Sequence, residues 1–488
     1  MTQSTGTAID IFKSALAGPG LLDRLRAGLI GEGAVIEGPF GERELVYADY
    51  VASGRALRQI EDFVLEKVLP YYANSHTEAS FCGSTMTRMR EAARSEIARI
   101  CGADDRFATV FCGSGATAGL NRLVHVLGVS GAAQNGEQPL VVIGPYEHHS
   151  DILPWRESGA EVIEIRESNT GGPDMTHLES VLQEAGSNRL IVGAFSMMSN
   201  VTGIVTDDVA VTRLLKRYGA VSVWDCAGSG PYLPIDMMAG TDHEKDAVVV
   251  SPHKFVGGPA ASGVMIVRKS AVRKNIPVFP GGGTVRFVSP WGHDYSKDIA
   301  TREEAGTPNV IGDIRAALAF LVKEAIGAAE MDRINADWRE QALAVWAANP
   351  AIEIMGNPSA ANVLPVFSFR VRDLERGGYI HQQLVTRMLS DLYGVQARGG
   401  CACAGPYAHR LLGIEQDESE ALRAGILSGE ELKKPGWTRL NFSVLLTGEK
   451  ADKIIAAVDD LARHPYPVAD HYACDQSTAR FKALKDAA

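Results

Sequence analysis

The sequence predicts an α/β fold in which a mostly parallel sheet is sandwiched by helices and is followed by a smaller α+β C-terminal lobe. Three observations carry that prediction. Between residues 109 and 267, short β-branched apolar runs alternate with segments of helical spacing, the trace that right-handed crossovers leave in a sequence. Four of those runs end in unusual polar residues, as strands of an open parallel sheet do where they border a ligand. A long helical region from 310 to about 348 then separates this series from a second, shorter one.

The 488 residues have length for a large core and for two unequal lobes around one site. A net charge of −11 speaks against non-specific binding to nucleic acid or to an anionic membrane surface, so small-molecule chemistry is expected. Residues 1–30 lack a basic segment followed by a continuous apolar core, and no run has the length to span a bilayer. A cytoplasmic location is therefore expected. The seven cysteines, scattered from Cys82 to Cys474, suit a reducing compartment better than a disulfide framework.

Taken in order, residues 1–45 carry two helical patterns, 9–16 and 21–29, broken by Gly18-Pro19-Gly20, and are read as an arm that packs with the small lobe. The large lobe is placed at 46–315. It opens with a short strand at 46–50, a helix from 56 that stops at Pro70, and a helix over 85–101 with its arginines and glutamates outward. Residues 109–124 read as strand, glycine-rich turn and helix, through Gly113-Ser114-Gly115-Ala116-Thr117. Backbone N–H groups at such a helix start, with a threonine hydroxyl, form an anion site. Strands follow at 140–143, 160–165, 189–196 and 220–225, with helices at 178–185 and 209–218. A linking helix is expected over 316–350. The small lobe, 351–488, has strands at 363–370, 395–398 and 437–443, helices at 378–392 and 449–464, a solvated insertion at 415–434 and a tail.

The chemistry centres on Ser251-Pro252-His253-Lys254, which ends one apolar run before a glycine-rich turn leads into the next. A lysine held between buried strands can lose its proton through desolvation and attack an aldehyde as an amine, which is Schiff-base chemistry. Ser251 and His253 are then placed to hold a phosphate. Taken alone, the motif also fits a surface lysine in a β-hairpin. Asp225, closing its own strand, reads either as a site carboxylate or as the cap of the next turn. Cys401 and Cys403 admit three plain readings. They are two inert buried thiols, or a metal pair with His409 whose spacing suits zinc poorly, or a redox pair that extended backbone would point apart.

Together these motifs, over residues 46–465, resemble the class V aminotransferase family of pyridoxal-phosphate enzymes, fold type I, and within it the cysteine desulfurase and selenocysteine lyase branch. The resemblance implies a seven-stranded sheet, pyridoxal 5′-phosphate as cofactor and no metal. It makes Lys254 the residue that binds the cofactor aldehyde and later moves protons at the substrate α-carbon. His148 then stacks on the cofactor ring, and Asp225 faces the pyridine nitrogen and keeps it protonated. Ala116, Thr117, Ser251 and His253 hold the phosphate, and Asn200 contacts the cofactor or the substrate carboxylate. Gly283 and Thr284 resemble the segment that crosses to a second subunit, which implies a homodimer with shared active sites. The run Arg398-Gly399-Gly400-Cys401-Ala402-Cys403-Ala404-Gly405-Pro406 is similar to the desulfurase substrate loop. It makes Cys403 the thiolate that takes sulfur from L-cysteine, with Arg398 and Arg439 on the substrate side and Arg439 gripping the carboxylate. A protein acceptor for that sulfur is a further implication.

The chain departs from the pattern at three places. Asp225-Cys226-Ala227-Gly228 stands where Asp-Gly-Ala-Gln is usual, Ala118 where many relatives have glutamate, and Asp151 where asparagine is usual. Two other readings stay open at this stage. One is an aminotransferase, carbon–sulfur lyase or epimerase of the same family that does not use Cys403. The other is a binding protein on the same fold without catalysis.

Overall fold

The computed structural model describes residues 7–75, 77–186 and 188–484. The seven strands of the large sheet are β1 (Phe107–Phe111), β2 (Leu140–Ile143), β3 (Glu161–Glu164), β4 (Ile191–Ser196), β5 (Val221–Asp225), β6 (Ala247–Val250) and β7 (Val264–Arg268). Their spatial order is β1-β7-β6-β5-β4-β2-β3, and only β7 runs antiparallel to its neighbours. That is the mostly parallel, seven-stranded sheet expected.

Alternation along each strand explains why the sheet is buried on both faces. Val248 and Val250 of β6 join one apolar cluster, while Ala247 and Val249 join another on the opposite face. Helix α3 (Phe81–Ile100) covers the first face and α4 (Ala116–Val126) the second. The first face is completed by α5 (Met175–Ala185), α6 (Asp208–Arg217) and α7 (Val310–Ile326).

The arm splits between the lobes. Helices α1 (Ala8–Leu16) and α2 (Leu21–Ala27) lie against the large lobe, where Phe12 meets Phe63 edge-on and α1 touches α3 and α7. The small lobe is reached by the hairpin Val35–Gly38 and Gly41–Glu44, with Arg43 donating to Leu392 O, by Arg26 of α2, which donates to Leu445 O at 3.4 Å, and by Glu32, which pairs with Lys450. The arm therefore does not pack with the small lobe alone. The apolar stripe Ile9, Phe12, Leu16 is buried by the first large surface available to it. Likewise Val46–Tyr47 pairs in parallel with Val395–Gln396, so the first strand after the arm is hydrogen-bonded into the second lobe.

Helix α3 corrects another expectation. Arg90 turns inward, donating to Asp313 at 2.6 Å and Glu304 at 2.5 Å, and Arg94 bonds Glu304 and Thr109 O. Buried guanidiniums persist where several carboxylate and carbonyl oxygens meet them.

The linking region is two helices, α7 and α8 (Ala328–Trp346), because Gly327 sits at φ +85° and cannot continue a right-handed helix. The small lobe is a sheet of β8 (Ile352–Ile354), β9 (Val366–Arg372), β10 (Arg398–Gly400) and β11 (Trp437–Asn441), ordered β8-β9-β11-β10. Helices α9 (Gln382–Tyr393) and α12 (Gly448–Arg463) pack on it, and between them lie α10 (Gly405–Leu412) and α11 (Gln416–Leu427). The solvated 415–434 stretch is built on α11, of which only Gly425 is buried, and the terminal stretch includes a hairpin, Tyr472–Asp475 with Arg480–Ala483, whose Phe481 meets His381. Among the described residues no helix is long and apolar enough to cross a membrane.

Candidate active site

The carboxyl ends of β2, β4, β5 and β6 and the start of α4 converge on a cavity of about 170 Å³. Ala116, Thr117, His148, Asn200, Asp225, Ser251, His253 and Lys254 all line it. Eight of the expected site residues, drawn from five separate segments, are thereby brought together.

At one end the glycine-rich turn is shaped by close packing. Gly115 has φ +73°, and a Cβ there would stand 2.7 Å from Ser251 Oγ and 2.9 Å from the His253 ring. The Ala116 N–H donates to Ser251 Oγ at 2.9 Å, and the Thr117 and Ser150 hydroxyls lie 2.7 Å apart. N–H groups and hydroxyls at the start of an eleven-residue helix make a cradle for a doubly charged oxyanion.

At the other end stands Asp225, buried, its Oδ1 accepting from Ala227 N–H at 2.7 Å. Burial pushes its carboxyl up and the ammonium of Lys254 opposes that shift. Lys254 occupies a 3₁₀ turn, Pro252–Lys254, held from outside by Gly54, whose N–H donates to His253 O at 3.0 Å. A Cβ on Gly54 would run into Phe255 O at 1.8 Å, so only glycine lets this loop approach the lysine turn. Burial pulls the Lys254 ammonium below its ordinary range, with the cations of Arg439 and Arg398 acting the same way against Asp225 and Asp49.

His148 accepts from the Ser150 N–H through Nδ1 at 3.1 Å, which leaves the neutral ring's proton on Nε2. Burial, then Lys254, His149 and Arg439, push its pKa down to about 4. The ring is neutral at physiological pH.

Arg398 and Arg439 approach from the small lobe and share one carboxylate. Arg398 Nε donates to Asp49 Oδ2 at 2.9 Å, and Arg439 donates to Asp49 Oδ1 at 3.0 Å and to Asn200 O at 3.2 Å. Sequence reading missed Asp49, although it closes a short apolar run as Asp225 does. It also set His149 aside. His149 N–H donates to Cys403 O at 2.8 Å, and its Nε2 accepts from Gly405 N–H at 2.9 Å. With Asn200 Nδ2 donating to Ala402 O at 2.8 Å, three hydrogen bonds tether the cysteine loop to the large lobe beside the cavity. Cys403 is exposed and Cys401 is half-buried. His409 commits both ring nitrogens, to Gly405 O and Ser419 Oγ. Thr284 is buried away from the cavity lining, its hydroxyl donating to Gly281 O at 2.7 Å.

The fold and this site define an enzyme class that carries an aldehyde-bearing, phosphorylated aromatic cofactor on a lysine. The donor set fits such a group: an anion cradle at one end, a buried carboxylate at the other, a neutral imidazole and a primed lysine between them, and Asn200 Oδ1 buried with no protein partner among the described residues. The chain belongs to the class-V aminotransferase family, whose profile matches residues 46–430, and enzymes of that family use pyridoxal 5′-phosphate.

The chain is similar to a probable cysteine desulfurase of Streptomyces coelicolor, 27% identical over 426 residues, covering 85% of this chain and 92% of that protein. A probable cysteine desulfurase of Vibrio cholerae is 27% identical over 442 residues, covering 90% and 97%. The fold is that of a solved cysteine desulfurase from Thermococcus onnurineus, with a TM-score of 0.71 at 22% identity over 90% of this chain and 98% of that one. The S-sulfonic acid form of the Escherichia coli cysteine desulfurase CsdA superposes with a TM-score of 0.68, also at 22% identity, over 91% and 98%.

Proposed function

We propose that the protein is a pyridoxal-phosphate cysteine desulfurase, converting L-cysteine to L-alanine and retaining the sulfur as a persulfide on Cys403. The observation that carries this reading is the exposed Cys403 on a loop fastened beside the lysine cavity by His149 and Asn200. The names of the relatives support the same chemistry.

Ala116, Thr117, Ser251 and His253 would hold the cofactor phosphate, and Asp225 the ring nitrogen. When bound, pyridoxal phosphate supplies an electron sink for the pair released at the substrate α-carbon. Arg439, with Arg398 beside it, orients the amino-acid carboxylate through its planar fork. Lys254, whose ammonium is disfavoured by burial, takes the α-proton as a free amine and returns a proton to carbon. The Cys403 thiolate attacks the substrate Sγ. An S–S bond forms as the Cβ–Sγ bond breaks, its electron pair passes to Cβ, and a proton there completes alanine.

The protein acts as a homodimer in the cytoplasm and hands the persulfide sulfur to a protein acceptor. In this reading Gly283 and Thr284, neither of which lines the cavity of its own chain, serve the phosphate site of a second copy.

The test is alanine release from L-cysteine by wild type and Cys403→Ser, with the visible absorbance of each. Wild type should show cofactor absorbance that shifts with L-cysteine, and the variant should keep that shift while losing turnover by at least about 10²-fold. A variant that still releases alanine would refute the persulfide role of Cys403 and make this a related enzyme in which Cys403 is dispensable.

A further inference from the structure

Cys401 and Cys403 flank a single residue, and on extended backbone their side chains would point to opposite sides. The backbone here is not extended. Ala402 has φ +55° and Cys403 φ +56°, and the Ala404 N–H donates to Cys401 O at 3.1 Å. This is a four-residue turn with two consecutive left-handed central residues, neither of them glycine or asparagine. Such a backbone costs about 1–2 kcal/mol per residue, and it persists only where the surroundings hold it. The holders are the three hydrogen bonds from His149 and Asn200.

The turn changes what two thiols can do. Curling the chain draws the two Cα atoms in from the roughly 6.7 Å that two extended residues span, the upper limit of what a disulfide bridges, toward the roughly 5.5–6 Å at which most disulfides sit. Cys401 lies half-buried against the cluster of Tyr146, Tyr407 and Trp437, while Cys403 is exposed.

We propose that Cys401 is a resolving thiol for the sulfur carried on Cys403, releasing it as sulfide and leaving a Cys401–Cys403 disulfide. This rests on the persulfide reading given above. The Cys401 thiolate attacks Cys403 Sγ, the S–S bond of the persulfide breaks, and hydrosulfide departs with the electron pair, taking up the proton that Cys401 released. Cys401 and Cys403 are together oxidised by two electrons and the terminal sulfur is reduced by two, so no outside oxidant enters. A small-molecule thiol reduces the disulfide and resets the loop. With a single equivalent of L-cysteine and no other thiol or sulfur acceptor, the enzyme would release one sulfide per protomer and stop at the disulfide.

The cofactor-loaded enzyme, freed of reductant, is mixed with one equivalent of L-cysteine per protomer, so that turnover leaves no free thiol, and sulfide is measured together with mass mapping of the alkylated loop peptide. Wild type should give one sulfide per protomer and a peptide two hydrogens lighter that resists alkylation. Cys401→Ser should instead retain the mass of one extra sulfur on Cys403 and release little sulfide until a thiol is added. Wild type that keeps the extra sulfur, with Cys401 still open to alkylation, overturns the resolving role. Absence of the extra sulfur from Cys401→Ser overturns the persulfide reading itself. Diamide oxidation without substrate separates these cases, because failure to join the two cysteines then refutes the geometric basis independently of turnover.

Discussion

At the scale of single residues, Asp49 is one carboxylate that holds together the two arginines proposed to bind the substrate. Arg439 is almost fully buried and Arg398 half-exposed, and each donates to a different oxygen of Asp49. Two cations facing one substrate carboxylate would repel each other and wander unless an anion fixed them from behind. Asp49→Asn keeps the shape and removes the charge. Its expected effect is a KM for L-cysteine raised about tenfold with a much smaller change in kcat, since it loosens ground-state binding more than proton transfer. A drop in kcat with KM unchanged would place Asp49 in the chemistry instead. Stability should also fall, by about 3 kcal/mol, because Arg439 keeps a buried charge with no anion beside it. Urea unfolding of the cofactor-free proteins measures that difference.

At the scale of elements, the segment after β2 carries a charge arrangement that its sequence half-reveals. Glu147 accepts from Ser196 N–H at 2.8 Å and from Ser196 Oγ at 2.5 Å, and Asp151 accepts from Trp155 Nε1 at 2.8 Å. Both are buried beside Asp225. Burial pushes Glu147 up to about 7 and Asp151 well above the usual carboxylate range, with Glu147 and Asp225 adding to the rise at Asp151. Asp151 is the member of the pair that holds a proton. Because its folded pKa is raised, the folded chain binds a proton that the unfolded chain gives up above about pH 4, so stability falls as pH rises through neutrality. Asp151→Asn, which restores the residue usual in the family, replaces that proton-holding acid with a neutral amide. The variant should melt about 3–6 °C above wild type at pH 8, with the gap closing toward pH 4. An equal gap at both pH values would refute the shared-proton account.

The same segment shows what could be read in advance. The inner strands of the large sheet announced themselves because burial on both faces leaves largely apolar runs, whereas the edge strand β3 reads Glu-Val-Ile-Glu, and a strand end holding Asp225 or Lys254 contrasts sharply with such a run. Arg90 was misread because its partners, Glu304 and Asp313, lie far along the chain, and a lone arginine in a helical pattern looks solvent-facing. Asp49 and His149 escaped for a related reason: their importance lies in contacts with the small lobe, which local spacing does not encode.

At the scale of the whole molecule, one hairpin carries apolar side chains that nothing among the described residues covers. The segment Gly281–Thr284 leads into a hairpin of Val285–Ser289 and Gly292–Tyr295, and the hairpin's Phe287, Val288 and Trp291 are 58%, 63% and 92% exposed. Phe279, just before it, is 55% exposed. A single exposed apolar residue means little, but several on one short projection mark a surface that loses water against a partner. If that partner is a second copy, the hairpin anchors each subunit while the preceding glycines carry Thr284 toward the neighbouring phosphate cradle. Two properties then become linked that a monomer would keep separate. Trp291→Asp should shift sedimentation from dimer to monomer at micromolar concentration, and the monomer should lose pyridoxal phosphate on gel filtration although every residue lining its own cavity is intact. A monomeric variant that keeps its cofactor in full would show that each cavity is complete within one chain. A wild type that sediments as a monomer would assign the apolar tip to some other protein.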